Sequence, residues 1–358
     1  MLSSLLWLAA SALTPAAASL PAQINAAMAQ SAIRAAPYRR ARRAIVRAIG
    51  QIGDRRLAAA TRAALLQPGD CLRHRTGLSR ADEEAIVARL RTAGFLTPEL
   101  APEAAREGLF PPVLAAGSAC PHLAVPVLAA AGGNSRSHHS WPGGLAIHTA
   151  ENLALGSRLA RAYPGLPQPA QDGWRAAILW HDWAKALVLP WQADGLTRPE
   201  LQIAGTGAHH ILGLAEAMRR GLPGPVIAAQ ACAHALPGTD GAPVAGWLQA
   251  AAIIARRPTT QVPTARPGPA CRITFAADQS WPRTDAALAR AEVRLRALAQ
   301  PCGRDSGPAF EIGVKNALLA RQGTALKAGR SLRPCPSTRA TPEPHGYLPP
   351  TPLSSFGA

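Results

Sequence analysis

The chain predicts an all-α fold, and three observations carry that prediction. Apolar residues recur at helical spacing in segment after segment, as in Ala177, Ile178, Trp180 and Ala184. Helix punctuation separates the segments, with Pro164-Gly165, Gly221 and Pro223 as examples. Strand-like runs are nearly absent, residues 271–275 being the one short β-like stretch. At 358 residues the chain can form two modest domains or one core with long appendages. Its 48% hydrophobic content with only 4% aromatics predicts a core built of small side chains.

The elements follow in order. Residues 1–29 read as a signal or anchor segment: an apolar run from Leu2 to Leu20, then Ala27-Met28-Ala29 as a signal-peptidase-like site. Against that reading, no Lys or Arg precedes Arg34, and Pro15 and Pro21 interrupt the run. The missing positive leader favours a cytoplasmic chain, with export or anchoring through residues 1–29 as the alternative. Residues 30–120 form a basic helical N-terminal region. Its first part, 30–66, is studded with Arg34, Arg39, Arg40, Arg42, Arg43, Arg47, Arg55, Arg56 and Arg62, a pattern of a solvated helix face or a phosphate grip. Ser79 with Asp82 and Glu83 signals a capped helix start, and Gly94 its end. Residues 121–257 read as a helical bundle with helices at 150–163, 174–187, 209–219, 225–235 and 244–254. Residues 258–321 form a C-terminal helical extension with a helix at 285–298. From 322 to 358, Pro, Ser, Thr and Gly dominate, and the tail reads as disordered.

Net charge is +17, almost all of it arginine, since the lysines are Lys185, Lys315 and Lys327 alone. That balance suits an anionic partner, a phosphorylated small molecule or nucleic acid; it also matches the Arg-, Ala- and Pro-rich usage of a GC-rich genome. The cysteines Cys71, Cys120, Cys232, Cys271, Cys302 and Cys335 contain no C-x-x-C pair, which argues against a zinc ribbon or a thioredoxin-type motif. Their pairing is not legible. The absence of G-x-S-x-G and G-x-x-x-x-G-K-[ST] argues against a serine hydrolase and a P-loop enzyme.

The informative feature is the pair His181-Asp182 at the end of an apolar run, with His148 in an earlier helix. A neutral nitrogen beside an anionic oxygen can reach a single divalent cation. Seven of the ten histidines fall between 138 and 234: His138, His139, His148, His181, His209, His210 and His234. One histidine on an apolar face is usually core; seven in this span point to a site. An antiparallel helical hairpin would join His148 to His181-Asp182, while His210 and His234 could each add a nitrogen from another wall. Trp141, Trp180, Trp183 and Trp191 flank these residues and could stack a nucleobase or pack as walls.

These segments resemble the HD-domain family of metal-dependent phosphohydrolases. The matching stretches are His139-Ser140-Trp141-Pro142-Gly143-Gly144-Leu145-Ala146-Ile147-His148-Thr149, then Leu179-Trp180-His181-Asp182-Trp183-Ala184-Lys185, then Gly207-Ala208-His209-His210-Ile211-Leu212-Gly213, then His234. The first looks most like the branch containing bacterial exoribonucleases. The resemblance implies an HD-type bundle over about 121–257, with His148, His181 and Asp182 as metal ligands. It implies His210 and His234 as ligands of a second metal or contacts to phosphate, and catalytic roles for Asp182 and Lys185. Lys185 would neutralise a phosphate oxygen. The divalent metal would be Mn, Fe, Co, Ni or Mg.

One departure stands out. Where the family places a late metal-binding aspartate, this chain has Arg256, which cannot ligate a metal. Asp240 and Asp278 are the candidate replacements. The first reading is therefore an enzyme, a metal-dependent phosphohydrolase or phosphodiesterase acting on a nucleotide or nucleic acid. The alternative is a catalytically degenerate HD-like module that binds nucleotide or nucleic acid, in a mobile-element or conjugation setting.

Overall fold

The structure, a computed structural model, describes residues 20–238, 243–280 and 282–316. Arginine-rich residues 20–66 fold as three helices: α1 (Leu20–Arg34), α2 (Ala36–Gly50) and α3 (Arg55–Leu66). In α2 the inward face is Tyr38, Ala41, Ile45, Ala48 and Ile49 at helical spacing, while Arg39, Arg40, Arg42, Arg43 and Arg47 are exposed. Asp54 caps α3 by accepting from the backbone N–H of Arg56 and Leu57 at 2.8 and 3.0 Å. Ser79 and Asp82 form the reciprocal capping box that starts α4 (Arg80–Thr92). After α5 (Pro102–Leu109) and a long irregular stretch come α6 (Gly144–Leu159), α7 (Gln168–Trp180) and the short α8 (Lys185–Val188). A small antiparallel hairpin, β1 (Gln202–Ile203) and β2 (Thr206–Gly207), leads into α9 (Ala208–Arg219). The remaining helices are α10 (Gly224–Ala231), α11 (Val244–Ile254), α12 (Pro269–Asp278), α13 (Pro282–Ala299) and α14 (Gly307–Phe310). The all-α prediction therefore holds.

One hydrophobic cluster runs from Ala29 in α1 to Ala277 in α12, continuous across position 120. α2 packs on α6, α6 on α7, and α7 on α10 and α12, while α9 packs on α11. Small residues permit the close approach: a Cβ on Gly156 of α6 would lie 2.7 Å from Ile178 Cδ1 of α7. Trp180 and Trp183 turn away from solvent, donating to Thr61 Oγ1 at 3.0 Å and Ala64 O at 3.1 Å in α3. All four flanking tryptophans are at most 4% exposed, so none offers a face to a nucleobase. They are walls.

Three local expectations are corrected. Residues 271–275 are not a strand but the body of α12, because Pro269 opens a helical turn and Cys271, Thr274 and Ala277 bury one face. Burial overrides the β-propensity of Ile273, Thr274 and Phe275. The helix expected over 174–187 ends at Trp180, so His181 caps it and Asp182 lies in the turn before α8. The helix expected through 235 ends at Ala231, with Cys232 as its cap.

Ala27-Met28-Ala29 lies inside α1, with Met28 and Ala29 buried against the body. Among the described residues no helix is long and apolar enough to cross a membrane. Residues 1–19, Asp240 and the tail from 322 onward lie outside the described residues. Cys71 pairs with Cys120 and Cys232 with Cys271, settling for these four what spacing left open.

A buried polar knot ties α9 to the N-terminal region. Glu216, fully buried, accepts from His74 Nδ1 at 2.6 Å, from the backbone N–H of Arg73 and His74, and from Arg220 Nε at 2.6 Å. Burial alone would raise its pKa, but the His74 and Arg220 contacts outweigh that and bring it down to about 2. The folded value lies below the unfolded one, so this stabilisation is present above pH 4.5 and is lost as pH falls from there toward 2. Glu216→Ala is expected to cost on the order of 3 kcal/mol, since it takes the acceptor from the buried His74 ring and from the backbone N–H of Arg73 and His74, and leaves Arg220 with Asp70 as its counter-ion. Chemical denaturation at pH 7 measures the cost; a loss below about 1 kcal/mol would count against this network.

Candidate metal centre

Four side chains from three segments meet between α6, the end of α7 and α12. His148 lies one turn into α6, whose start is set by Gly143 at φ +77° and by Gly144, where a Cβ would collide with His139 O at 1.8 Å. His181 caps α7, Asp182 follows it, and Asp278 ends α12. His148 Nε2 lies 3.0 Å from Asp182 Oδ2, 3.1 Å from Asp278 Oδ1 and 3.3 Å from His181 Nε2. His181 Nε2 lies 3.3 Å from Asp182 Oδ2 and 3.2 Å from Asp278 Oδ1. Four ligands held about 2 Å from one centre in a tetrahedron are separated by about 3.3 Å, so these distances fit a single cation.

The hydrogen bonds behind the imidazoles favour ligation. His181 Nδ1 donates to Ile178 O at 2.8 Å, which turns Nε2 toward the carboxylates. Burial would push the His181 pKa down, but Asp182 and Asp278 outweigh it and raise it to about 10. Both carboxylates are held well below their ordinary range: burial opposes ionisation, and His181 with its neighbouring donors overcomes it. Without a cation, a proton on His181 fills the position between the two anions.

A second group adjoins the first through Asp182. Glu200 Oε2 lies 2.7 Å from His209 Nδ1 and fixes the proton there, so His209 Nε2 presents its lone pair. That lone pair faces Asp182 Oδ1 at 3.4 Å, and both atoms are buried without a hydrogen bond. Two buried acceptors facing each other are unfavourable unless a cation or proton lies between them. His234 completes this group, its Nε2 lying 3.7 Å from Asp278 Oδ2 and its Nδ1 3.3 Å from Thr206 Oγ1 of β2. A third set of close ligand atoms belongs to His138, His139 and His148.

The residues singled out from the sequence occupy different parts of this arrangement. His148, His181 and Asp182 share the first group, and His234 the second. His210 is fully buried and stacked on His234, with ring centroids 4.2 Å apart, and neither of its nitrogens makes a hydrogen bond. It lies outside all three groups of mutually close ligand atoms. Burial pushes the pKa of His210 well down and that of His234 to about 4, so both imidazoles are neutral near pH 7. Lys185 Nζ is committed to Asp182 Oδ2 and Gly132 O, both at 2.6 Å. It sits behind the carboxylate.

Sequence reasoning counted His209 in the histidine cluster without giving it a role, did not name Glu200, and named Asp278 only as one replacement among two. Adjacent His209 and His210 are separated by about 100° of helix, so packing alone chooses which one faces Asp182. Arg256 is exposed and donates to Thr76 O at 3.1 Å, away from the cluster. The position expected to hold an acid is therefore not at the centre, and Asp278 supplies the carboxylate there from a later helix. No protein-family model, curated protein or solved structure matches this chain.

Proposed function

We propose that this chain is a divalent-metal-dependent phosphohydrolase of the HD type, acting on a phosphoester of a nucleotide or nucleic acid. The observation that carries the reading is the set His148 Nε2, His181 Nε2, Asp182 Oδ2 and Asp278 Oδ1, in which each imidazole nitrogen lies 3.0–3.3 Å from the other and from both carboxylate oxygens, joined through Asp182 to a second group. The donor set, imidazole nitrogen with carboxylate oxygen, suits Mn, Fe, Co, Ni or Mg. A cation held there supplies Lewis acidity, which acidifies water and polarises a phosphoryl group.

The chain's own residues do the rest. Asp182 directs one oxygen to each group and so spaces them. Lys185 holds Asp182 ionised and oriented, and it leaves the phosphate to other cations. Ile178 O and Glu200 fix the proton on the far nitrogen of His181 and His209. The five exposed arginines of α2, on a helix packed against α6, offer positive charge to a polyanionic substrate. The degenerate-module alternative rested on Arg256; with Asp278 at the cluster that argument weakens.

The test is elemental analysis of the purified full chain, with hydrolysis of a single-stranded oligonucleotide and of a nucleoside monophosphate before and after chelation. The expected result is bound divalent metal and hydrolysis that is lost with a chelator and restored by added Mn²⁺. A chain that takes up no divalent metal, or whose hydrolysis ignores chelation, would refute the reading. Metal uptake should also release a proton. His181 carries one in the metal-free state up to about pH 10, so affinity should rise with pH up to about 10 and level off above it. Titration calorimetry in two buffers of different ionisation enthalpy reads that proton directly.

A further inference from the structure

Asp278 reaches the cluster on a helix that follows 14 residues, 255–268, holding only the short turn Thr259–Gln261. Something must set the position of α12. Cys271, in its first turn, is bonded to Cys232, the cap of α10. His234 follows Cys232 by two residues, and Asp278 follows Cys271 by seven, two helical turns or about 10 Å along the axis. The crosslink therefore joins the segment bearing His234 to the helix bearing Asp278. At the far end of α12, Gln279 Nε2 donates to Ala233 O at 3.1 Å, holding the same two segments together. A second pair among the described residues, Cys71–Cys120, involves none of the elements that carry ligands.

We propose that Cys232 and Cys271 are positioning residues for the metal centre: their disulfide delivers Asp278 to His148 and His181, so full metal affinity is gained only by a chain folded under oxidising conditions. This rests on the metal-centre reading above. Formation of the bond removes two electrons and two protons from the thiols and passes them to a low-molecular-weight disulfide, which leaves as two thiols. The crosslink is buried, Cys232 at 0% and Cys271 at 3% exposure, so bulk thiols reach it poorly after folding. It acts as a folding-time clamp. Such a requirement favours an oxidising compartment over the cytoplasm expected from the leader.

The test uses Co²⁺ as probe with the full chain, followed by visible absorption. The paired substitution Cys232→Ala/Cys271→Ala is expected to weaken Co²⁺ binding by about 10-fold or more, while Cys71→Ala/Cys120→Ala leaves it unchanged. Asp278→Asn should cost much less in the crosslink-free background than in the wild type, because both changes remove one contribution. Equal Co²⁺ affinity with and without the crosslink, or full additivity, overturns the proposal alone. A wild-type chain that binds no Co²⁺ overturns the metal-centre reading and takes the proposal with it. Should the paired variant not fold, the linkage is read in the wild type. Reduction of Cys232–Cys271 by dithiothreitol, mapped by alkylation, is expected to be about 10-fold less extensive with saturating Co²⁺, and this protection should vanish in Asp278→Asn. Equal reduction with and without Co²⁺ overturns the proposal.

Discussion

Asp182→Ala should abolish metal binding and hydrolysis together. Asp182 is 2% exposed, and its Oδ2 serves His148, His181 and Lys185 while its Oδ1 faces His209. Removing it takes a ligand atom from both groups and leaves Lys185 Nζ beside Gly132 O without its counter-ion. Substitutions one step removed from a metal commonly cost about 10–100-fold; loss of a carboxylate shared by two groups should exceed that upper figure. Stoichiometry by elemental analysis and the rate of phosphodiester hydrolysis measure it, with circular dichroism confirming the helical fold. A variant that keeps its metal and more than about a tenth of its rate would remove Asp182 from the centre.

The second large effect separates two residues. Asp278→Ala should lower metal affinity by more than about 10-fold, whereas Arg256→Ala should leave affinity and rate within about twofold. Asp278 Oδ1 lies 3.1 Å from His148 Nε2 and 3.2 Å from His181 Nε2, while Arg256 is exposed and donates to the carbonyl of Thr76. Asp278→Ala should also lower the elevated pKa of His181, since one of the anions that raise it is gone. The pH dependence of metal uptake would then shift toward neutrality. If instead Arg256→Ala abolishes binding while Asp278→Ala is silent, the cluster described above is not the metal centre.

Much of the fold was legible because helices announce themselves locally. The capping box at Ser79 and Asp82, the inward stripe of α2, and the punctuation at Gly221 and Pro223 follow from residues a few positions apart. The boundaries that failed were those overridden by distant partners. The β-prone residues of 271–275 became helical because α12 is buried against α6 and α7 and bonded to Cys232. The helix expected to run through His181 and Asp182 stops at Trp180, which places the pair in a turn, where both side chains can point to one centre.

By itself the sequence determined the helical class, the basic exposed face of α2 and the grouping of His148 with His181 and Asp182, since periodicity and a short motif encode all three. Only the tertiary structure decided that Asp278 and not position 256 meets them, that His209 and not His210 faces Asp182, and which cysteines pair. Those choices depend on where one helix lies against another. That placement is a sum over many packing contacts between residues far apart in the chain, and no local pattern records it.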